Sequence, residues 1–148
     1  MISVGQNNTP FAYKVAYTMD GLVKKAGKNL TLSVGQLVGQ QTHIEGKERQ
    51  RTDDIIFSYP RTFVATINVE LPSEYNVTPE SLQKLNTNLN NEDMRFVTKA
   101  EVTGNKLVIH LEKEYKKQMV PAARWQNVLE VLDRAYEFNN QQVILRKK

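Results

Sequence analysis

The 148-residue chain contains no cysteine. That absence removes a disulfide framework, a thiolate metal site and a cysteine nucleophile together. It leaves the compartment open, because exported proteins also lack cysteine. No run of about 18 apolar residues occurs, so no helix is expected to span a membrane. The first residues, Met1 to Asn8, have neither a basic region nor a long apolar stretch, and do not read as a signal peptide. Histidine is scarce. His43 and His110 lie in different expected elements, too far apart in pattern to suggest convergent metal ligands. No Gly-x-Ser-x-Gly, no phosphate-cradling glycine loop and no His-Glu-x-x-His is present. The acidic pairs Asp53/Asp54 and Glu92/Asp93 lack the alternating ligand spacing of a calcium loop and read as turn residues at strand ends. The sequence therefore offers no catalytic, cofactor-binding or metal-ligating residue, and no cofactor is expected.

Twenty basic and 16 acidic residues give a net charge of +4. The basic residues are spread out, with small clusters at Lys24/Lys25/Lys28, Lys113/Lys116/Lys117 and Arg146/Lys147/Lys148. A nucleic-acid binder concentrates its charge and interleaves aromatics. The clusters here read as solvated surface charge, and no nucleic-acid partner is expected.

What the chain does have is β patterning closed by one helix. Residues 1–9 read as a loose end. Phe11 to Met19 alternates through Phe11, Tyr13, Val15 and Tyr17, the period of a strand. Asp20-Gly21 is a turn signal, and Leu22-Val23 a short strand. Asn29 to Val38 alternates through Leu30, Leu32 and Val34, with Gly35 and Gly39 suggesting a bulge or bend. Asp54 to Tyr59 is a further strand, stopped by Pro60. In Arg61 to Leu71, Phe63, Ala65, Ile67, Val69 and Leu71 share a face that is expected to be buried, opposite Val64, Thr66, Asn68 and Glu70. Glu74 to Pro79 is extended or turn-like. Glu80 to Leu85 reads as a helical turn or a strand start, and the four asparagines of Asn86 to Asp93 as a turn or loop. Arg95 to Thr103 and Lys106 to Lys113 form a hairpin about Gly104-Asn105. Leu107, Ile109 and Leu111 make the apolar side of its second strand.

From Pro121 to Phe138 the pattern is helical. The proline suits a first helical position. Trp125, Val128, Leu129, Leu132, Ala135 and Tyr136 form an apolar stripe at helical spacing. Core packing under a sheet accounts for such a stripe better than a partner surface does. Asn139-Asn140 ends the helix, and Gln141 to Lys148 is a final strand. With no repeat and no composition shift, residues 1–148 read as one domain: mainly β, an antiparallel sandwich with one C-terminal helix packed on it and a short last strand.

The ordered set Arg49 to Asp54, Tyr59-Pro60, the strand Phe63–Leu71, Leu71-Pro-Ser-Glu-Tyr-Asn-Val77, the hairpin, Pro121-Ala-Ala-Arg-Trp-Gln-Asn-Val-Leu129 and Phe138 to Leu145 resembles one family. It is the C-terminal β domain of unknown function that follows a transglutaminase-like, papain-type core in large exported Bacteroidetes proteins. The resemblance implies a non-catalytic accessory domain, periplasmic or at the cell surface, that stabilises or positions its neighbour and is monomeric in isolation. The family's Cys-His-Asp set belongs to the preceding core, so none of it carries over to this chain. Two other classes stay open. A carbohydrate- or peptide-binding module would need exposed aromatics, and Tyr13, Tyr17, Tyr59, Tyr75 and Tyr115 are the supply. A hydrolase would need two convergent carboxylates.

Overall fold

The computed structural model describes residues 14–16 and 18–148. The expected strand Phe11–Met19 falls largely outside them. Its described members, 14–16 and 18–19, are exposed and belong to no strand.

Ten strands and two helices follow. The strands are β1 (Val23–Ala26), β2 (Asn29–Leu32), β3 (Ile55–Ile56), β4 (Arg61–Glu70), β5 (Tyr75–Val77), β6 (Thr87–Asn90), β7 (Met94–Thr103), β8 (Lys106–Tyr115), β9 (Met119–Val120) and β10 (Val143–Lys147). The helices are α1 (Pro79–Lys84) and α2 (Trp125–Phe138). One sheet runs β4-β8-β7-β6, a second β1-β2-β10-β5, and β3 pairs with β9. Every pairing is antiparallel. The fold is mainly β, closed by a helix and a last strand, as the patterning predicts.

The hairpin turns follow from glycine. Gly104 has φ 60° and Gly27 φ 63°, each first in its two-residue connection. A positive φ there, with none at the following residue, is the primed turn whose twist matches the strands. Gly35 has a different reason. It sits in the 3-10 turn Val34–Val38, where an added Cβ would lie 2.1 Å from the carbonyl oxygen of Phe138. The turn and the end of α2 meet backbone to backbone.

On β8, Leu107, Ile109, Leu111, Lys113 and Tyr115 face inward, beside Val102, Ala100, Thr98, Phe96 and Met94 of β7. Helix α2 covers this face, with Phe138 edge-on to Phe96 at 6.1 Å. Trp125 is 4% exposed, its Nε1 donates to the Glu48 carbonyl at 3.2 Å, and the Arg51 guanidinium lies over its ring. One hydrophobic cluster joins both sheets and α2, from Leu32 and Val34 through Phe96 and Leu129 to Leu145.

Three expectations change. In β4 the inward side is the one expected, but Ala65, Ile67 and Val69 are only half-buried and Phe63 is 53% exposed; Leu71, just beyond, is buried. β4 is the edge of its sheet, so α2, lying over β7, does not reach it. A charge at Ile67 would therefore meet water more readily than a core position allows. The asparagine-rich stretch holds a strand, β6, paired with β7. Its asparagines serve the backbone: Asn86 Oδ1 accepts from Ala100 N, and Asn91 Oδ1 from Asp93 N and Met94 N. Glu80 to Leu85, open between a helical turn and a strand start, fall in α1 and its C-cap, with Pro79 first in the helix and the Thr78 hydroxyl accepting from Ser81 N.

Candidate functional site

The inward alternation of β8 carries a lysine where an apolar residue belongs. Lys113 is 5% exposed and pairs across the sheet with Phe63 of β4 and Phe96 of β7. The reading of Lys113 as solvated surface charge is thus overturned. Its Nζ donates to Gln41 Oε1 at 3.0 Å and lies 5.4 Å from the centre of the Tyr115 ring. The Arg61 guanidinium lies 4.3 Å from the same ring centre and also approaches the rings of Tyr59 and Phe63. Phe57 and Phe63 meet Tyr115 edge-on. Burial, with the Arg61 charge second, pushes the Lys113 ammonium down to about 8. Burial pushes the Tyr115 hydroxyl up.

Lys113, Gln41, Tyr115, Arg61 and Phe63 line an open cavity of about 390 Å³ between residues 38–42 and the β4–β8 pair. Val38, Phe63, Val64, Ala65 and Leu111 give it apolar walls. No aspartate or glutamate lines the cavity, and among the described residues neither Lys113 nor Arg61 forms an ion pair. Exposed apolar side chains lie nearby in the chain. Ile56, opposite Met119, and Tyr59, Phe63 and Val64 are all more than half exposed. A docking patch is expected near Phe11–Tyr17, which lies largely outside the described residues. Of its described members Val15 is 64% exposed; other exposed apolar side chains lie at the β3–β9 pair and the start of β4, and at Met19, Val23, Val102 and Ile144.

The other residues singled out by sequence fall elsewhere. The strands β1, β2 and β10 bring two basic clusters together in a groove of about 820 Å³, lined by Lys25, Lys28, Arg146, Lys147 and Lys148 with Tyr75. The third cluster divides. Lys113 turns inward, while Lys116 Nζ donates to Asn90 Oδ1 at 2.6 Å and Lys117 meets Glu92 and Asp93. Asp93 is fully buried, a depth that its reading as a turn residue does not predict. Its carboxylate lies 3.1 Å from Arg124 and 3.4 Å from Lys117, and Arg124 also binds Glu92. The hydrogen bond from Arg124, with the charges of Arg124 and Lys117 behind it, holds the Glu92 carboxyl below its usual range. Asp54 Oδ1 accepts from Ala122 N, fixing the turn that leads into α2. His43 stacks on Tyr136 at 3.9 Å and meets Glu45. His110 Nδ1 lies 3.1 Å from the Thr66 hydroxyl on the outer face of the sheet. Among the described residues no group of three or more His, Asp or Glu is placed to hold a metal ion. Among the described residues no helix is long and apolar enough to cross a membrane. Of the tyrosines proposed as a ligand platform, Tyr59 is exposed, Tyr75 half-buried and Tyr115 buried; Tyr13 and Tyr17 lie outside the described residues.

Lys113 was missed as a site residue, yet the signal was present. Leu107, Ile109, Leu111 and Tyr115 share its parity on β8.

A family model described as "Domain of Unknown Function with solved-structure structure (DUF3858)" matches residues 28–145. No curated protein matches the chain. Among solved structures, the fold is similar to one described as a "putative protease from Parabacteroides distasonis ATCC 8503", with TM-score 0.57 and 11% identity. The likeness covers 66% of this chain and 19% of that protein, and at this identity it speaks for the fold alone.

Proposed function

We propose, from the premise that this chain belongs to the DUF3858 family, that it is a non-catalytic accessory domain that docks on a neighbouring domain of a longer chain. The observation that carries this reading is the exposed apolar group Ile56, Tyr59, Phe63, Val64 and Met119 beside the edge strand β4. Exposed large apolar side chains gathered at one end of a sheet edge favour an interaction site there. The similar solved chain is several times longer than the stretch matched, which fits a module joined to others. The absence of cysteine keeps the Cys-His-Asp chemistry of a transglutaminase-like core in the neighbour. On this reading the parent is exported, and the domain works at the cell envelope by positioning that core.

The test compares this chain with a longer one that includes the preceding part of its gene. The fusion should melt higher than the isolated chain, and amides of residues 56–64 should gain protection from exchange. Identical melting and exchange would refute docking. Peptidase or transamidase turnover by the isolated chain would refute the non-catalytic assignment. A peptide-binding role is the second reading, favoured by β4, which presents ten residues at the edge of its sheet.

A further inference from the structure

Lys113 and Arg61 are two cations in one partly enclosed cavity, and no counter-ion is in place. The absence goes beyond the described residues. The chain has no acidic residue before Asp20, so residues 1–13 and 17 bring no carboxylate side chain to the cavity. On β8 the nearest acids, Glu112 and Glu114, have the opposite parity and face the other side of the sheet, where Glu112 is taken by Arg95 at 2.7 Å. From residues 38–42 the cavity receives Val38, Gln40, Gln41 and Thr42, none of them charged. On β7 the residue opposite Lys113 is Phe96.

The ammonium of a lysine that is 5% exposed, with one amide oxygen as its only protein acceptor among the described residues, is costly to keep unpaired. A perturbed titratable group that lines a cavity marks a candidate binding site, and an opposite charge brought to it would offset the cost. We infer that the Lys113–Arg61 cavity is a carboxylate-binding site, and that its occupant is a glutamate or aspartate side chain presented by the domain that docks on β4. The apolar walls fit the methylene stem of the side chain. The guanidinium of Arg61 and the ammonium of Lys113, both in the lining, suit its oxygens. This inference rests on the docking reading and adds to it the chemistry of the contact.

The probe is the capped pentapeptide acetyl-Ala-Leu-Glu-Leu-Ala-amide, with the Gln analogue and inorganic phosphate as controls. The readout is the side-chain NMR signal of Lys113 in lysine-labelled protein, assigned by its loss in Lys113→Met. The Glu peptide should shift this signal and raise its titration midpoint, since a bound carboxylate favours the charged ammonium. The Gln peptide should leave it in place. Lys113→Met and Arg61→Gln should each weaken the Glu peptide, seen at the backbone amides of residues 61–65, by about tenfold or more, as loss of a charged hydrogen bond does. Arg61 is only half-buried, so its variant tests the site without endangering the fold. Equal shifts with both peptides, or none with either, would overturn the inference. A shift with phosphate alone would also overturn it and would mark a site for free inorganic anions. These outcomes concern the isolated chain, so they stand apart from the fusion experiment, which tests docking itself.

Discussion

Replacing Lys113 by methionine should stabilise the protein at neutral pH, and the gain should disappear in alkali. The unfolded lysine titrates near 10.5 and the folded one near 8. Below pH 8 both states hold the proton, and the folded state carries the full cost of the buried charge. That cost is about 3 kcal/mol, from the difference of the two values. Between pH 8 and 10.5 the unfolded chain binds more protons than the native one, so stability rises with pH across this window. Methionine keeps the length of the stem and removes the charge. It also removes the hydrogen bond to Gln41, which as a charged bond offsets about 1.5–3 kcal/mol. The net gain at pH 7 should be roughly 1 kcal/mol, or about 2–4 °C in melting temperature for a chain of this size. Urea denaturation at intervals from pH 6 to 10.5, followed by Trp125 fluorescence, measures the gap directly. The upward shift of Tyr115 acts in the opposite sense at the alkaline end, but it is common to both proteins and leaves the difference intact. A gap that stays constant with pH would refute the argument. So would a methionine variant that is less stable than wild type at pH 7.

The ion cluster at the β6–β7 turn should respond asymmetrically. Asp93 is fully buried while Arg124 and Lys117 are partly exposed, so Arg124→Met should cost about 3 kcal/mol and Asp93→Asn distinctly less; the reverse order in urea denaturation would show that the acid is not the costly member. Gly35→Ala should cost more than about 3 kcal/mol, because its new methyl meets the backbone oxygens of Phe138 and Asn139 and no side chain can give way; a small change in melting temperature would mean that the 3-10 turn moves freely from α2. Trp125→Ala should cost about 3–5 kcal/mol, and wild-type emission at the wavelength of a water-exposed indole would contradict its burial.

Local chemistry was legible where it decided structure alone. Gly104-Asn105 between two alternating runs fixed the β7–β8 hairpin, and the stripe from Trp125 to Tyr136 fixed α2 and its inward face. Strand β6 was hidden because it is held by its pairing with β7 and by the flanking Asn86, whose Oδ1 accepts from Ala100 N, and propensity carries no information about such distant partners. The exposure of Phe63 was hidden because parity tells which side a residue faces and not whether anything lies over it. Lys113 stands between these cases. Its inward direction was readable from Leu111 and Tyr115, but its significance depends on Arg61 and Gln41, which only the fold brings near.

The edge position of β4 has a kinetic consequence. From Thr62 to Val69 the strand has no charge, no proline and no glycine, and among the described residues its outer side pairs with no other strand. Natural edges are usually guarded by lysine, a bulge or a covering loop. A strand without such gatekeepers is a template for copies of itself once heating loosens its surroundings. Thermal unfolding of the isolated chain should accordingly end in β-rich aggregate at high concentration, with an apparent melting point that moves with scan rate. Lysine at Val64, 73% exposed on the outer face, should restore reversibility without touching the core.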